Sequence, residues 1–297
     1  VIREICNQLL LLVNQGFALL STIPSTVTFG KLPVAVGILI VLIMFSLENR
    51  HYRFIKWGII GMLYFGSWLW IYFPTKSKVI YFDIGQGDAT LIQKAFQHRV
   101  VLIDTGGKLN YGRKQPSNRS TAGQRIIANY LLSKGLTTID GLYLTHQDTD
   151  HIGYMASIGK QIRYNKIYVP AGMEKLESFQ QKLSRLSQPT KKIIPVTDQI
   201  LNKDFKIMHP FEEGKGTNQD SMVLYQKIGN CHFLFTGDLD RAGELRVIDR
   251  YPNLKVDVLK AGHHGSKTSS DPQFIDQITP KLAIISAGRN NRYHHPN

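Results

Sequence analysis

Two cysteines in 297 residues exclude a disulfide-built scaffold. Cys6 and Cys231 lie far apart, and only Cys231 falls beyond residue 78. Neither has the spacing of a thiolate metal site. Their scarcity leaves the compartment open, because a domain of about 220 residues buries a full core without a staple. Acid is scarce too, with 22 Asp and Glu against 36 Lys and Arg, a formal net charge of +14. No acidic residue occurs between Asp104 and Asp140, where Lys108, Arg113, Lys114, Arg119, Arg125 and Lys134 lie. Charge of either sign is absent from 32–47 and from 57–74. There is no internal repeat and no low-complexity tract.

Those uncharged runs of 16 and 18 residues approach the roughly 20 apolar residues of a membrane span. Counting Phe54 and Ile55 carries the second across Lys56, so spans are expected at 32–47 and 54–73. Trp57, Tyr64, Trp68, Trp70 and Tyr72 crowd the second, and such aromatics favour membrane interfaces. Two buried helices of a soluble domain are the alternative. Polar Arg3, Glu4, Asn7, Gln8, Asn14 and Gln15 recur at helical spacing among leucines and valines. Residues 1–21 therefore read as an amphipathic helix, lying on a membrane or packed as a core helix. The chain opens on Val1 without Met and closes on Asn297, so a piece of a longer protein is expected, truncated at its C-terminus. Its start lacks the basic stretch and small-residue cleavage site of a signal peptide. The loop from Glu48 to Lys56 carries Arg50, Arg53 and Lys56 against one Glu. By the positive-inside rule it faces the cytoplasm, and the chain after the second span faces outward. Lys76 and Lys78, just beyond that span, weigh the other way. The expected division is a membrane segment, 1–77, and a globular domain, 78–297.

What is present most tellingly is the run Thr145 to Gly153, THQDTDHIG. It follows the apolar stretch Gly141 to Leu144, so a strand ending there delivers His146, Asp148, Asp150 and His151 onto one tight turn. Imidazole nitrogen and carboxylate oxygen suit a hydrolytic zinc or manganese site, and the set is large enough to begin two. A solvated polar loop is the bland alternative. Three other segments share the design of an apolar strand stopped by Gly and a potential ligand. They run from Val100 to Gly107 through Asp104, from His232 to Asp238, and from Val256 to Ser266 through His263 and His264.

Four such strands make the chain resemble the metallo-β-lactamase superfamily, whose active site sits on strand ends. The run from Asp83 to Ala89, the HQDTDH turn, Asn218 with Ser221, the LKAGHHGS run and Asn291 to Pro296 narrow this. Together with a preceding membrane segment, they resemble ComEC-type DNA-internalisation competence proteins over nearly all of 78–297. The resemblance implies an α+β fold, the four-layer αββα sandwich, preceded by membrane helices; periodicity alone gives only α/β or α+β. Coarse helices are expected at 124–133, 174–186 and 242–251, and short strands at 192–196, 205–208, 221–228 and 281–286.

The same resemblance implies two divalent cations. His146 and Asp148 would take one, Asp150 and His151 the second, with Asp238 bridging and His264 completing the second site. His263 competes with His264, because adjacent histidines leave the register open by one. Asp148 stands where the wider superfamily has a histidine, which favours manganese over zinc. The superfamily's separate histidine between the turn and the bridging Asp has no clear counterpart, since His209-Pro210 reads as a strand end. Asp150 would serve catalysis through its cation. His263, Lys260 and His295 are candidate proton donors to the leaving oxygen. Ser266, Asn291 and Tyr293 are candidate phosphate contacts. Asp104 is expected behind a ligand imidazole, with Asp83, Gln86, Asp88 and Asn218 bordering the site. Turn chemistry is the alternative for Asp83 and Asp88.

The acid-free segment LNYGRKQPSNRSTAGQR reads as a long basic loop that follows Asp104 directly. Arg113, Lys114 and Arg119 on it fit phosphate contacts to a polyanion, and a solvated basic surface is the alternative. Tyr111 is a candidate base-stacking residue or mere packing. The expected function is a metal-dependent nuclease of a membrane DNA-uptake protein. It would hydrolyse the strand that is not imported, on single- or double-stranded DNA, beside other competence-machinery proteins. Its expected location is a multi-pass cell membrane protein with the metal domain on the outer face. A membrane-attached phosphoesterase with a small or cell-wall substrate, and a non-catalytic DNA-gripping module, are the alternatives.

Overall fold

A computed structural model describes residues 8, 10, 14–15, 30–46, 52–108, 121–187 and 192–297. The amphipathic segment 1–21 falls almost wholly outside these residues. So does the basic loop with Tyr111, Arg113, Lys114 and Arg119.

Helix α1 (Val34–Phe45) has 12 residues. At about 1.5 Å per residue it is well short of the roughly 30 Å hydrocarbon core. Within the described residues, the expected span at 32–47 contains this shorter apolar helix. Helix α2 (Arg53–Tyr72) has 20 residues and is long and apolar enough to cross a membrane. Its apolar side chains are mostly exposed, Phe54, Ile55, Met62, Phe65 and Trp70 among them.

From Lys78 onward the chain builds two facing sheets. The first has the order β1 (Lys78–Tyr81), β2 (Thr90–Gln93), β3 (Val100–Ile103), β5 (Gly141–Tyr143), β7 (Ile167–Pro170) and β8 (Ile193–Val196). The second has the order β13 (Leu282–Ile284), β12 (Val258–Lys260), β11 (Cys231–Phe235), β10 (Val223–Ile228) and β9 (Lys206–His209). A small pair, β4 (Thr138–Ile139) and β6 (Arg163–Tyr164), stands apart. β3, β5, β7 and β8 run parallel, as do β11, β12 and β13, while β9, β10 and β11 are antiparallel neighbours.

Period-two alternation makes the layers. Val101, Ile103, Tyr143 and Tyr168 face Phe205, Ile207, Leu224 and Phe235 between the sheets. The intervening residues Val100, Leu102, Leu142 and Ile167 turn outward. They meet helices α3 (Asn129–Ser133), α4 (Thr149–Ile152), α5 (Met155–Ile158) and α6 (Glu177–Leu183) through Leu131, Ile152, Met155 and Phe179. On the far side Leu234 and Leu259 meet α7 (Arg241–Arg250) and α8 (Pro272–Ile278) through Val247, Ile248 and Phe274. Each fully buried Leu, Ile or Phe contributes about 1.5–3 kcal/mol. The result is a four-layer αββα sandwich. Helix 124–133 opens as a π turn, Gln124–Ala128, and continues as α3. The region expected as one helix at 174–186 is a 3-10 turn followed by α6.

Candidate metal centre

Four strands end at one place. β3 runs into Asp104, β5 into Thr145 and His146, β11 into Asp238, and β12 into the turn of His263 and His264. Asp150 and His151 sit in α4, one turn past His146. Within each sheet the pairing is parallel, β3 with β5 and β11 with β12, so each pair brings its C-terminal ends together.

His151 Nε2 lies 3.1 Å from Asp238 Oδ1 without hydrogen-bond geometry. His146 Nε2 lies 3.9 Å from Asp238 Oδ2 and 3.8 Å from Asp148 Oδ2. His264 Nε2 lies 3.3 Å from Asp150 Oδ2 and 3.7 Å from Asp238 Oδ2. Buried His146 Nε2, His151 Nε2 and Asp238 Oδ1 have no hydrogen-bond partner among the described residues. A buried polar atom left without a partner costs about 1–3 kcal/mol, and three converging on one spot call for a cation. The donor sets His146, His151, Asp238 and Asp150, His151, His264 each fit one. Burial and the neighbouring His151 push the His146 imidazole down to about 3, so it is neutral and free to donate a lone pair. Burial acts against charge on Asp238 as well, but His151, His146 and His264 outweigh it and hold its carboxyl well below the usual range.

Backing atoms fix each ring. Asp104 Oδ2 accepts His151 Nδ1–H at 2.8 Å, and its two oxygens also accept the Thr145 backbone N–H and hydroxyl at 2.8 and 2.7 Å. Burial alone would lower the His151 pKa, yet Asp238 and Asp104 hold it well above its ordinary value. Ser286 carbonyl accepts His264 Nδ1–H at 2.8 Å, which leaves Nε2 facing the cluster. His263 and His264 both adopt left-handed backbone, φ 47° and 56°, and this turns the adjacent rings apart. His264 is buried in the cluster. His263 stands at the rim, its Nδ1 bonded to Thr268 Oγ1 at 2.8 Å and its Nε2 3.8 Å from Asp238 Oδ2.

A cavity of about 270 Å³ opens over the cluster, lined by Gln86, Asp148, Thr149, Asp150, Asp238, His263, His264, Tyr293 and His295. Lys260 is not among them. Its buried ammonium donates to Asp88 Oδ2 at 2.8 Å and to the Ala261 carbonyl at 3.1 Å. Asp88 in turn donates its backbone N–H to the Asp150 carbonyl at 3.2 Å. Gly87, at φ 128°, presses so closely on the Asp150 backbone that a Cβ there has no room. Asp83 is exposed, and Gln86 Oε1 accepts the Gly288 N–H at 3.0 Å. Asn291 is consumed by its own turn: Oδ1 accepts from Tyr293 and His295, and Nδ2 donates to Gly288 and His295. It sets the two rings in the cavity wall. Ser266 Oγ is 3.1 Å from Thr268 Oγ1. Asn218 opens a 3-10 turn capped by Thr217 and Asp220 and does not line the cavity. His209 Nδ1 bonds the Ser221 carbonyl at 2.9 Å, and among the described residues His209 belongs to none of the donor clusters that fit a cation.

Sequence reasoning passed over three contributors. Thr145 Oγ1 ties Asp104 to His146, the Ser286 carbonyl orients His264, and Lys182 donates to the Gln147 carbonyl at 2.6 Å beside Asp148. Each acts across the fold, and none has a local sequence signature.

Residues 82–289 match the model of the metallo-β-lactamase superfamily. The chain belongs to that superfamily. It is homologous to ComE operon protein 3 of Bacillus subtilis, at 34% identity over 86% of this chain and 34% of that protein. It is likewise homologous to competence protein ComA of Neisseria gonorrhoeae, at 32% identity over 74% of this chain and 28% of that protein. The chain thus spans about a third of the length of these relatives. A solved structure of metallo-β-lactamase SMB-1 is similar at 17% identity over 64% of this chain and 79% of that one, with a TM-score of 0.43.

Proposed function

We propose that this chain is the metal-dependent phosphodiesterase of a membrane DNA-uptake protein, hydrolysing the strand that is not imported. The observation that carries the reading is the set of buried, unpartnered donors on strand ends, in a chain whose homologues include competence proteins. His146 and Asp148 would hold one divalent cation, Asp150, His151 and His264 the other, and Asp238 both. When bound, such a pair polarises a phosphoryl oxygen and lowers the pKa of water.

The chain's own groups do the rest. Asp104 and Ser286 hold two imidazoles in the ligating tautomer. His263 Nε2 and the His295 ring stand in the cavity wall, placed to pass a proton to the leaving oxygen. Tyr293 lines the same wall and offers a stacking face. Three carboxylates in the donor set favour manganese over zinc. Arg113, Lys114 and Arg119 would grip backbone phosphates without reading sequence. The domain would work on the outer face of a multi-pass membrane protein, beside other competence proteins.

A small-ester phosphoesterase is the second reading, and the modest cavity, about 270 Å³, favours it. Competition separates the two. Single-stranded DNA should inhibit hydrolysis of bis-p-nitrophenyl phosphate by the manganese-loaded chain. Undiminished hydrolysis at saturating DNA would hand the site to a small ester.

A further inference from the structure

Strand direction gives the sandwich two ends. β3, β5, β11 and β12 each deliver a site residue just past their last position, so their first residues mark the opposite end. The β2–β3 turn, residues 94–99, lies there. It carries Phe96, 72% exposed. Among the described residues of the sandwich, only Leu201 is a large apolar side chain more exposed than this. Leu201 belongs to the loop that Asp204 fastens to the same turn, accepting from Arg99 at 2.5 and 2.6 Å.

Helix α2 exits at this turn. Phe96 donates its backbone N–H to the Pro74 carbonyl at 2.8 Å, and Ala95 donates to Ser77 Oγ at 3.0 Å. The His98 ring stacks on Tyr72, the last residue of α2, at 3.6 Å. No acid occurs in 74–81 or 93–99, while Lys76 and Lys78 are exposed and Lys94 is half-buried.

We infer that this end of the sandwich rests on an anionic lipid surface, with Phe96 inserted beside the exit of α2 and Lys76, Lys78 and Lys94 at the phosphates. The inference rests on reading Arg53–Tyr72 as a membrane span. A small apolar projection, Phe96 with Leu201 on the adjoining loop, offers a protein partner little area. It matches the headgroup boundary, where apolar groups enter the acyl layer and ammonium groups stay with phosphate. Asp104 stands four residues beyond Val100, about 13 Å further from the lipid at 3.3 Å per residue. The metal-site cavity then opens away from the bilayer, toward strand arriving through water.

The test uses the whole chain, with Cys6→Ser and Cys231→Ser, in vesicles of equal parts phosphatidylcholine and phosphatidylglycerol. Nitroxide labels go singly on Phe96→Cys, Met62→Cys within α2, and Gln273→Cys at the start of α8. Gln97→Cys repeats the measurement with the Phe96 ring retained. Relative accessibility to dioxygen and to a water-soluble nickel chelate is read by power saturation. The expected result is dioxygen-favoured relaxation at 62, 96 and 97, nickel-favoured relaxation at 273, and a shift of 96 and 97 toward nickel in pure phosphatidylcholine. Nickel-favoured relaxation at 96 and 97 with 62 still dioxygen-favoured overturns the lipid contact alone. Nickel-favoured relaxation at 62 overturns the span, and the contact with it. No shift in pure phosphatidylcholine overturns the part assigned to the lysines.

Discussion

His264 Nε2 reaches Asp150 Oδ2 at 3.3 Å across 114 residues of sequence, while its Nδ1 is occupied by the Ser286 carbonyl. That pair separates two adjacent histidines by role. His264→Ala should remove metal from the Asp150 position, read as lost stoichiometry by mass spectrometry of the native chain. His263→Ala should leave stoichiometry unchanged and lower kcat by about 10²–10⁴, the range of general acid catalysis. Equal metal loss in both would cancel the distinction.

Asp104 bonds both His151 and Thr145. Asp104→Asn weakens the acceptor behind His151 and leaves the proposed ligands themselves in place. Metal affinity measured by calorimetry should fall by about 10- to 100-fold, and excess manganese should restore most of the activity. Failure to recover at any manganese concentration would place Asp104 in the reaction itself.

Lys260 and Asp88 are both buried, and each is the other's counter-charge. Lys260→Met removes the ammonium from that carboxylate, and a broken buried pair costs about 3–5 kcal/mol. The urea midpoint should drop accordingly, and Asp88→Asn in the same chain should recover part of it. A Lys260→Met chain of native stability but no activity would return Lys260 to the list of proton donors.

Glu244 is buried in α7 and accepts the backbone N–H of Ser270 and Asp271. Burial pushes its carboxyl up to about 7 against those bonds. The folded state therefore binds a proton that the unfolded chain has released between pH 4.5 and 7. Stability falls as pH rises through that window and is flat above it. Glu244→Gln should remove this slope from thermal unfolding. A slope of the same size in the variant would assign it to another group.

The donor cluster was legible in sequence where candidate ligands and the groups behind them directly follow an apolar strand. Asp104, His146, Asp238 and the HH pair are all marked by the apolar run before them, and the DxDH turn follows within one helical turn. What was not legible depends on strand order. The Lys260–Asp88 pair joins β12 to the turn before β2, and the Ser286 carbonyl reaches His264 only because β13 lies beside β12. The choice between His263 and His264 turns on two left-handed backbone positions that composition does not announce. The uncharged run at 32–47 marked an apolar helix, and α1 covers 12 of its residues, Val34–Phe45. An apolar run bounds a helix's length from above only.

The central claim is that donors on the strand ends hold the cations that cut DNA. The direct test strips the chain of metal, adds single-stranded DNA with manganese, zinc or magnesium, and runs Asp150→Ala alongside. The account predicts metal-dependent cleavage, strongest with manganese and absent in the variant. Metal uptake without cleavage, or cleavage undiminished in Asp150→Ala, would contradict it.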